Sequence, residues 1–318
     1  MSPEEIRSYL KCTACAGEID VQDRFLVCED CGRVYPLIHG IARFVSSEDY
    51  SASFGYQWNI HAKTQLDSYN GLTISRDRLF EETQWRPEAL KGRSVLECGS
   101  GSGRFTQVLC NCQAKVFSID YSVAVEANKN NNNEARNLFL AQASIYDLPF
   151  QQESFDYVIC LGVIQHTPDV KRAFMAMFEY LKPGGKFCID VYAAPVSYLH
   201  PRHVLRPFTR KMKKEKLYEI VSKWVPRLLP ISTALHKVPV IGQGLARLVP
   251  VANWRANIKL PTESLYKEWA LLDTFDWLSP AFEKPQSRSA LHEWCSALHL
   301  RRFEIVRRRG LYVVRGEK

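Results

Sequence analysis

Glycine stands at 99, 101 and 103, behind the apolar pair Val95-Leu96 and an acidic residue, Glu97. Such a turn lets the backbone pass close to a ligand where a Cβ would collide. A second apolar strand, Ala114-Lys-Val-Phe-Ser-Ile-Asp120, ends in a carboxylate about twenty residues on, where a ribose diol would be gripped. The dinucleotide pattern G-x-G-x-x-G would need glycine at 104, and Arg104 is there. The spacing is G-x-G-x-G behind an acidic residue. A second constellation lies near the N-terminus, where Cys12, Cys15, Cys28 and Cys31 form C-x2-C-x12-C-x2-C. Two thiolate pairs on tight turns supply four soft ligands in a tetrahedral array, which suits structural Zn2+ and leaves no open position for catalysis. A redox pair or disulfides are the alternatives.

Motifs further along extend the first pattern. Asp147-Leu-Pro-Phe150 precedes Glu153-Ser-Phe-Asp-Tyr-Val-Ile-Cys-Leu-Gly-Val-Ile-Gln-His-Thr-Pro-Asp169, and Leu181-Lys-Pro-Gly-Gly185 leads into Lys186-Phe-Cys-Ile-Asp-Val-Tyr192. With the glycine turn these runs resemble, in order, the motifs of class I S-adenosylmethionine (SAM)-dependent methyltransferases of the type 11-like group. The resemblance implies SAM as cofactor, held by Glu97, Gly99, Gly101, Gly103, Asp120, Tyr121, Ser144, Ile145 and Leu161. Ser144 stands where the family often has an acidic residue for the adenine amino group; a hydroxyl can also accept. The segment Arg33–Phe44 resembles the tail of zinc ribbons that precede many bacterial methyltransferases.

The elements that must position these residues alternate. Strands are expected at 94–98, 115–120, 137–141, 155–161, 186–192, 302–307 and 311–315, and helices near 103–110, 122–133, 170–181 and 288–298. This order implies an α/β, doubly wound, Rossmann-like seven-stranded sheet, parallel but for a final antiparallel strand, with ligands beyond the strands' carboxyl ends. The expected units are a zinc ribbon (1–45), a helical connector or lid (46–93), a SAM-binding core (94–192 with 286–318) and a basic helical cap inserted after strand 5 (193–285). In the connector, Tyr56, Gln57 and Trp58 are lid candidates, while Phe54 and Trp58, at i and i+4, also read as a packing face.

Methyl transfer needs a base only for a weakly acidic hydroxyl or a protonated amine. Candidates at strand ends are His166, Tyr192 and Asp190. An unperturbed histidine, with a pKa near 6.5, suits proton transfer at neutral pH, although His166 can equally be a structural hydrogen-bonder. His166 and Tyr192 are the catalytic candidates.

The chain of 318 residues is 46% hydrophobic and 24% charged, a globular composition. No run of eighteen apolar residues suggests a membrane span, and the acidic Met-Ser-Pro-Glu-Glu-Ile start is no secretory signal, so a cytoplasmic location is expected. Ten cysteines then favour metal binding or buried thiols. The net charge is +8, yet residues 1–45 hold five basic and seven acidic side chains, which makes nucleic-acid binding by the ribbon the weaker reading. Residues 196–260 hold thirteen Lys or Arg against Glu215 and Glu219, interleaved with Trp224, Leu228, Leu245, Leu248 and Trp254 and broken by Pro226, Pro230, Pro239 and Pro250. Short amphipathic helices with basic faces are expected. They fit a solvated cap, capture of an anionic substrate, or peripheral contact with an anionic membrane. After them, residues 271–280 return to acidic and aromatic character, and Asp273, Asp276 and Trp277 are candidates to complete the acceptor pocket.

The leading expectation is SAM-dependent O- or N-methylation of a small-molecule or glycan-precursor acceptor, anionic by the charge of the insertion. One alternative is an RNA methyltransferase, against which the non-basic ribbon and the lack of an Asn-Pro-Pro-Tyr-type motif argue. The other is a non-catalytic SAM-binding adaptor, against which the intact glycines and Asp120 argue.

Overall fold

Short runs rich in β-branched and aromatic residues form eleven strands among the described residues. They are β1 (Ile19–Val21), β2 (Phe25–Cys28), β3 (Val34–Ile38), β4 (Ile41–Arg43), β5 (Ser94–Cys98), β6 (Lys115–Asp120), β7 (Leu138–Gln142), β8 (Phe155–Cys160), β9 (Leu181–Tyr192), β10 (Arg302–Arg308) and β11 (Leu311–Glu317). The computed structural model describes residues 1–46, 49–195 and 200–318, so the parts of the expected connector and insertion at 47–48 and 196–199 lie outside the described residues. All strands join one sheet in the order β1-β2-β3-β4-β7-β6-β5-β8-β9-β11-β10. Strands β4 through β9 run parallel in that order, and β11 returns antiparallel on β9.

The expected count of seven strands is corrected to eleven. Strands β5 to β11 are the seven foreseen. The other four come from the N-terminal segment, whose β4 pairs with β7 through Ala42–Ala141 and Arg43–Gln142. An open edge at β7 would present unpaired N–H and C=O groups, and β4 takes them up. The docking is also apolar: the Tyr9 ring lies 4.3 Å from that of Phe117 and 5.5 Å from that of Phe155. Leu10, Leu26 and Tyr35 share one buried cluster with Phe117, Phe150 and Phe155.

Alternation along the strands fills both faces of the sheet. Leu96, Phe117, Val158 and Ile189 point to one side, with Phe174 and Trp294 of the helices Val170–Ala176 and Arg288–Ala297. Val95, Val116, Ile159 and Cys188 point to the other, with Phe105 and Leu109 of the helix Arg104–Asn111.

The insertion differs from its expected short helices. Lys214–His236 is one helix of 23 residues that runs through Pro226 and Pro230. Both prolines face solvent, while Leu217, Val221, Val225 and Leu229 form an i, i+4 stripe buried with Ala270, Phe275 and Leu278 of the helix Glu263–Leu278. Packing of this stripe outweighs two missing backbone bonds on the solvent side.

Candidate functional site

A buried polar network seats the glycine turn. The Glu97 carboxylate accepts from the hydroxyls of Thr106 (2.5 Å) and Ser118 (2.8 Å), and Asn128 donates to Thr106 (2.9 Å). These bonds tie the helices Arg104–Asn111 and Ala124–Asn131 to β5 and β6. Gly103, at φ 87, begins the first helix, and a Cβ there would stand 2.2 Å from Asn128 Oδ1. Gly101, at φ 53, passes beneath the Trp58 indole, whose Nε1 would lie 3.1 Å from a Cβ. Asp120 Oδ2 accepts from the Gly101 N–H (2.9 Å), and Oδ1 accepts from the Ser122 N–H and hydroxyl. A carboxylate has about four lone-pair sites, so a diol could still be accommodated.

Above the turn lies a cavity of about 1120 Å³, larger than the roughly 1,000 Å³ at the upper end for a single small-molecule pocket. Of the expected cofactor residues, Gly99, Gly101, Asp120, Tyr121, Ile145 and Leu161 line it. Glu97, Gly103 and Ser144 do not: Glu97 and Gly103 lie in the network beneath, and the Ser144 hydroxyl accepts from the Tyr146 N–H within a turn. Ala143 borders the cavity instead. Among the lid candidates Gln57 and Trp58 line it, whereas Tyr56 turns away to pack on Tyr218 and Phe275.

Both catalytic candidates face this space. His166 Nδ1 lies 2.9 Å from the carbonyl oxygen of Phe282. A carbonyl can only accept, so Nδ1 carries the proton and Nε2 keeps its lone pair. Burial lowers the His166 pKa, with Asp276 and the Phe282 bond opposing it. The imidazole is therefore neutral and able to take a proton at neutral pH. Tyr192 packs edge-on against it at 5.5 Å. Burial, reinforced by Asp276 and Glu283, raises the phenol well above its usual range, which makes Tyr192 a donor and no base. Asp190 is fully buried away from the cavity, bonded to Arg78 (2.6 Å) and the Gly162 N–H.

Sequence reading missed Trp269, which lines the cavity; Asp273, Asp276 and Trp277 reach it as expected, from far along the chain. Asp276 accepts from Gln57 Nε2 at 3.2 Å, and Asp273 accepts from Trp254 Nε1. Burial, then the neighbouring Asp276, raise Asp273 to about 7. Their acidic and aromatic character after a basic stretch marked Asp273, Asp276 and Trp277 as pocket candidates, although nothing local tied them to His166.

The cavity tests whether a cofactor fits. Within its lining, Ser100 Oγ, Gln57 Oε1 and Gln165 Oε1 are buried without a hydrogen-bond partner among the described residues, beside backbone that no Cβ obstructs. A polar ligand would satisfy atoms that are otherwise costly to bury. A family described as "Methyltransferase domain" matches residues 96–189, the stretch that holds this turn, Asp120 and His166.

The chain carries a class I SAM-dependent methyltransferase domain.

The chain is similar to several known methyltransferases. It is 26% identical over 166 residues to a demethylmenaquinone methyltransferase of Tropheryma whipplei (strain Twist), covering 48% of this chain and 67% of the relative. To phosphoethanolamine N-methyltransferase 2 of Caenorhabditis elegans it is 33% identical over 107 residues, covering 32% of this chain and 24% of that one. To a ubiquinone biosynthesis O-methyltransferase of Xanthomonas oryzae pv. oryzae (strain PXO99A) it is 26% identical over 188 residues, covering 57% and 69%. A solved SAM-dependent methyltransferase from Aquifex aeolicus is 16% identical, covering 45% of this chain and 75% of that one, with a TM-score of 0.36.

The four cysteine sulfurs form a second site. They lie within 4.8 Å of one another, with Cys12–Cys31 at 3.7 Å and Cys15–Cys28 at 3.4 Å. Zn–S bonds of about 2.3 Å in a tetrahedron separate the sulfurs by about 3.8 Å, whereas a disulfide brings them to about 2 Å. The spacing therefore fits a metal and excludes these disulfides. Ala16 at φ 67 and Gly32 at φ 69 form the left-handed turn after each cysteine pair.

Proposed function

We propose that this enzyme transfers the methyl group of SAM to an oxygen or nitrogen of a small-molecule or glycan-precursor acceptor, with His166 as general base. SAM, when bound, supplies a methyl on a positively charged sulfur already activated for displacement. The chain's own residues do the rest. Gly99, Gly101 and Asp120 would hold the nucleoside and amino-acid ends, and Trp58 would cover them. His166 Nε2 would take the acceptor's proton, while Asp276 stabilises the imidazolium that results. Tyr192 would orient the acceptor by donating a hydrogen bond.

The acceptor's chemistry follows from what the cavity leaves unpaired. The orphaned amide oxygens of Gln57 and Gln165 are acceptors, so the missing partner brings donors, as a hydroxyl or amine does. The anionic acceptor expected from the charge of the insertion has less support. Only Arg202 and Lys259 of the thirteen cations line the cavity, and Arg202 is paired with Glu283. One relative is named an O-methyltransferase of ubiquinone biosynthesis and another a phosphoethanolamine N-methyltransferase, which is compatible with either O- or N-methylation.

We further assign the units as ribbon (1–45), lid (46–93), core (94–192 with 286–318) and cap (193–285), with structural Zn2+ in the ribbon and a cytoplasmic location. No helix among the described residues is long and apolar enough to cross a membrane.

The observation that carries this proposal is one cavity joining the glycine turn to an imidazole whose Nδ1 is bonded to the Phe282 carbonyl, which leaves Nε2 to accept a proton. The test incubates the protein with methyl-labelled SAM and fractionated cell extract. Label should enter a small molecule, and His166→Gln should lower the rate by about 10²–10⁴-fold with SAM affinity kept. Label in RNA would favour the RNA methyltransferase; SAM binding without transfer would favour the adaptor.

A further inference from the structure

Thirteen large apolar side chains are exposed among the described residues, and eight of them fall between 204 and 248: Val204, Phe208, Ile231, Val238, Val240, Ile241, Leu245 and Leu248. Scattered exposed apolar residues need no explanation, but a concentration of this kind does. Val204 and Phe208 lie at i and i+4 on the helix Pro201–Thr209, so they share its outer face. Its inner face is anchored: Arg206 donates to the carbonyls of Trp277 and Pro280 (3.1 Å each), and Thr209 donates to that of Leu278 (2.9 Å). Phe208, 74% exposed, is thus held outward by a rigid support. Val240 is fully exposed at φ 67, a conformation that a β-branched residue rarely adopts without a reason in its surroundings. Arg247, at the end of the second run, adds to the burial that lowers the pKa of His200, the N-cap of the Pro201–Thr209 helix.

Cations flank these residues along the chain. Arg210, Lys211, Lys213 and Lys216 follow Phe208, and Lys237 and Arg247 bracket the Val238–Leu245 run. All six are exposed, and none has an ion-pair partner among the described residues. Arg202, Arg206 and Arg255 of the same insertion pair internally with Glu283 and Glu263, so the outward charge is a distinct set. No carboxylate occurs from 220 to 262.

We infer that this face docks on the surface of an anionic lipid bilayer, with Phe208, Val240 and Ile241 entering the headgroup boundary and the cations meeting lipid phosphates. The argument is complementarity of charge around protruding apolar side chains, on a chain with no spanning helix among its described residues. The same insertion places Trp254, Asn257, Ile258 and Lys259 on the cavity wall, so an acceptor dissolved in or lying on the bilayer would be met by the element that holds the membrane.

The test uses the full chain and vesicles of phosphatidylglycerol and phosphatidylcholine in equal parts, read by co-sedimentation, with no methyl transfer required. Binding should occur, weaken with salt, and be absent on pure phosphatidylcholine. Lys211→Gln with Lys213→Gln and Lys216→Gln should weaken it by about fivefold per charge, about a hundredfold together. Phe208→Asp with Ile241→Asp should abolish it, with S-adenosylhomocysteine affinity and circular dichroism unchanged. No binding to the anionic vesicles would overturn the inference. So would binding that survives the aspartate pair, which would reduce the contact to charge alone. A vesicle-free dimer dissolved by Phe208→Asp would assign the face to a second copy of the chain and overturn it as well.

Discussion

Two residues beneath and beside the cavity make the sharpest claims at the residue scale. Burial raises Glu97 to about 7, against the bonds from Thr106 and Ser118 that favour its charged form. Its ordinary value is 4.5. The native state therefore holds a proton that the unfolded chain releases, and this contribution to stability is full below the unfolded value and lost as pH rises through about 7. Relative to Glu97→Gln, the wild type should lose about 2–3 kcal/mol between about pH 5 and about pH 8, since one pKa unit is about 1.4 kcal/mol. Denaturant titrations of both proteins give the difference directly; a flat one would mean that the carboxylate is stabilised in ways the network does not reveal. Gly101 makes the second claim. Valine there would combine a positive φ with a Cβ 3.1 Å from the Trp58 indole. Gly101→Val should remove SAM binding by calorimetry while the fold survives, and unchanged affinity would refute the role given to the turn.

At the scale of elements, the ribbon is where sequence and structure part most instructively. Its cysteine spacing is local and could be read directly, as could β5 to β11, whose apolar runs are short and contiguous. The pairing of Ala42 with Ala141 joins residues 99 apart, and no local signal encodes it. The reach of the Lys214–His236 helix across two prolines was hidden for a related reason, because its stripe finds a partner only in Glu263–Leu278. A ribbon that merely preceded the core could unfold alone. This one lends β4 to the sheet edge and Tyr9 to a cluster with Phe117 and Phe155, so its loss should be felt throughout. Zinc binding can supply roughly 10–16 kcal/mol to such a fold. Chelation, or Cys28→Ser, should therefore lower the melting temperature of the entire sheet, followed by near-ultraviolet dichroism. An unchanged transition after metal removal would show that β4 holds without the ion.

For the whole molecule, the cavity belongs to no single segment. The glycine turn and His166 come from the core, Tyr50, Phe54 and Trp58 from the connector, and Trp254, Trp269 and Asp276 from the insertion. The core motifs were legible because each is contiguous. Candidates for the closing walls could be named, but not their pairing, since Gln57 meets Asp276 across 219 residues and Tyr218 meets His61 across 157. Those two bonds join the connector to the insertion, and Tyr56 is packed into the insertion's own apolar cluster. A ligand in the cavity therefore touches all three parts at once, and its binding free energy should stabilise their mutual docking. Hydrogen exchange with S-adenosylhomocysteine should show protection rising together in the helix Ala52–Ile60 and in Glu263–Leu278, not only in the glycine turn. Asp276→Asn with Gln57→Leu should uncouple them: protection of the turn would persist, while that of the two walls would fall to the level of the free protein. If saturating ligand protected the turn alone in the wild type, the connector and insertion would close independently of the cofactor, and acceptor binding would have to assemble the site.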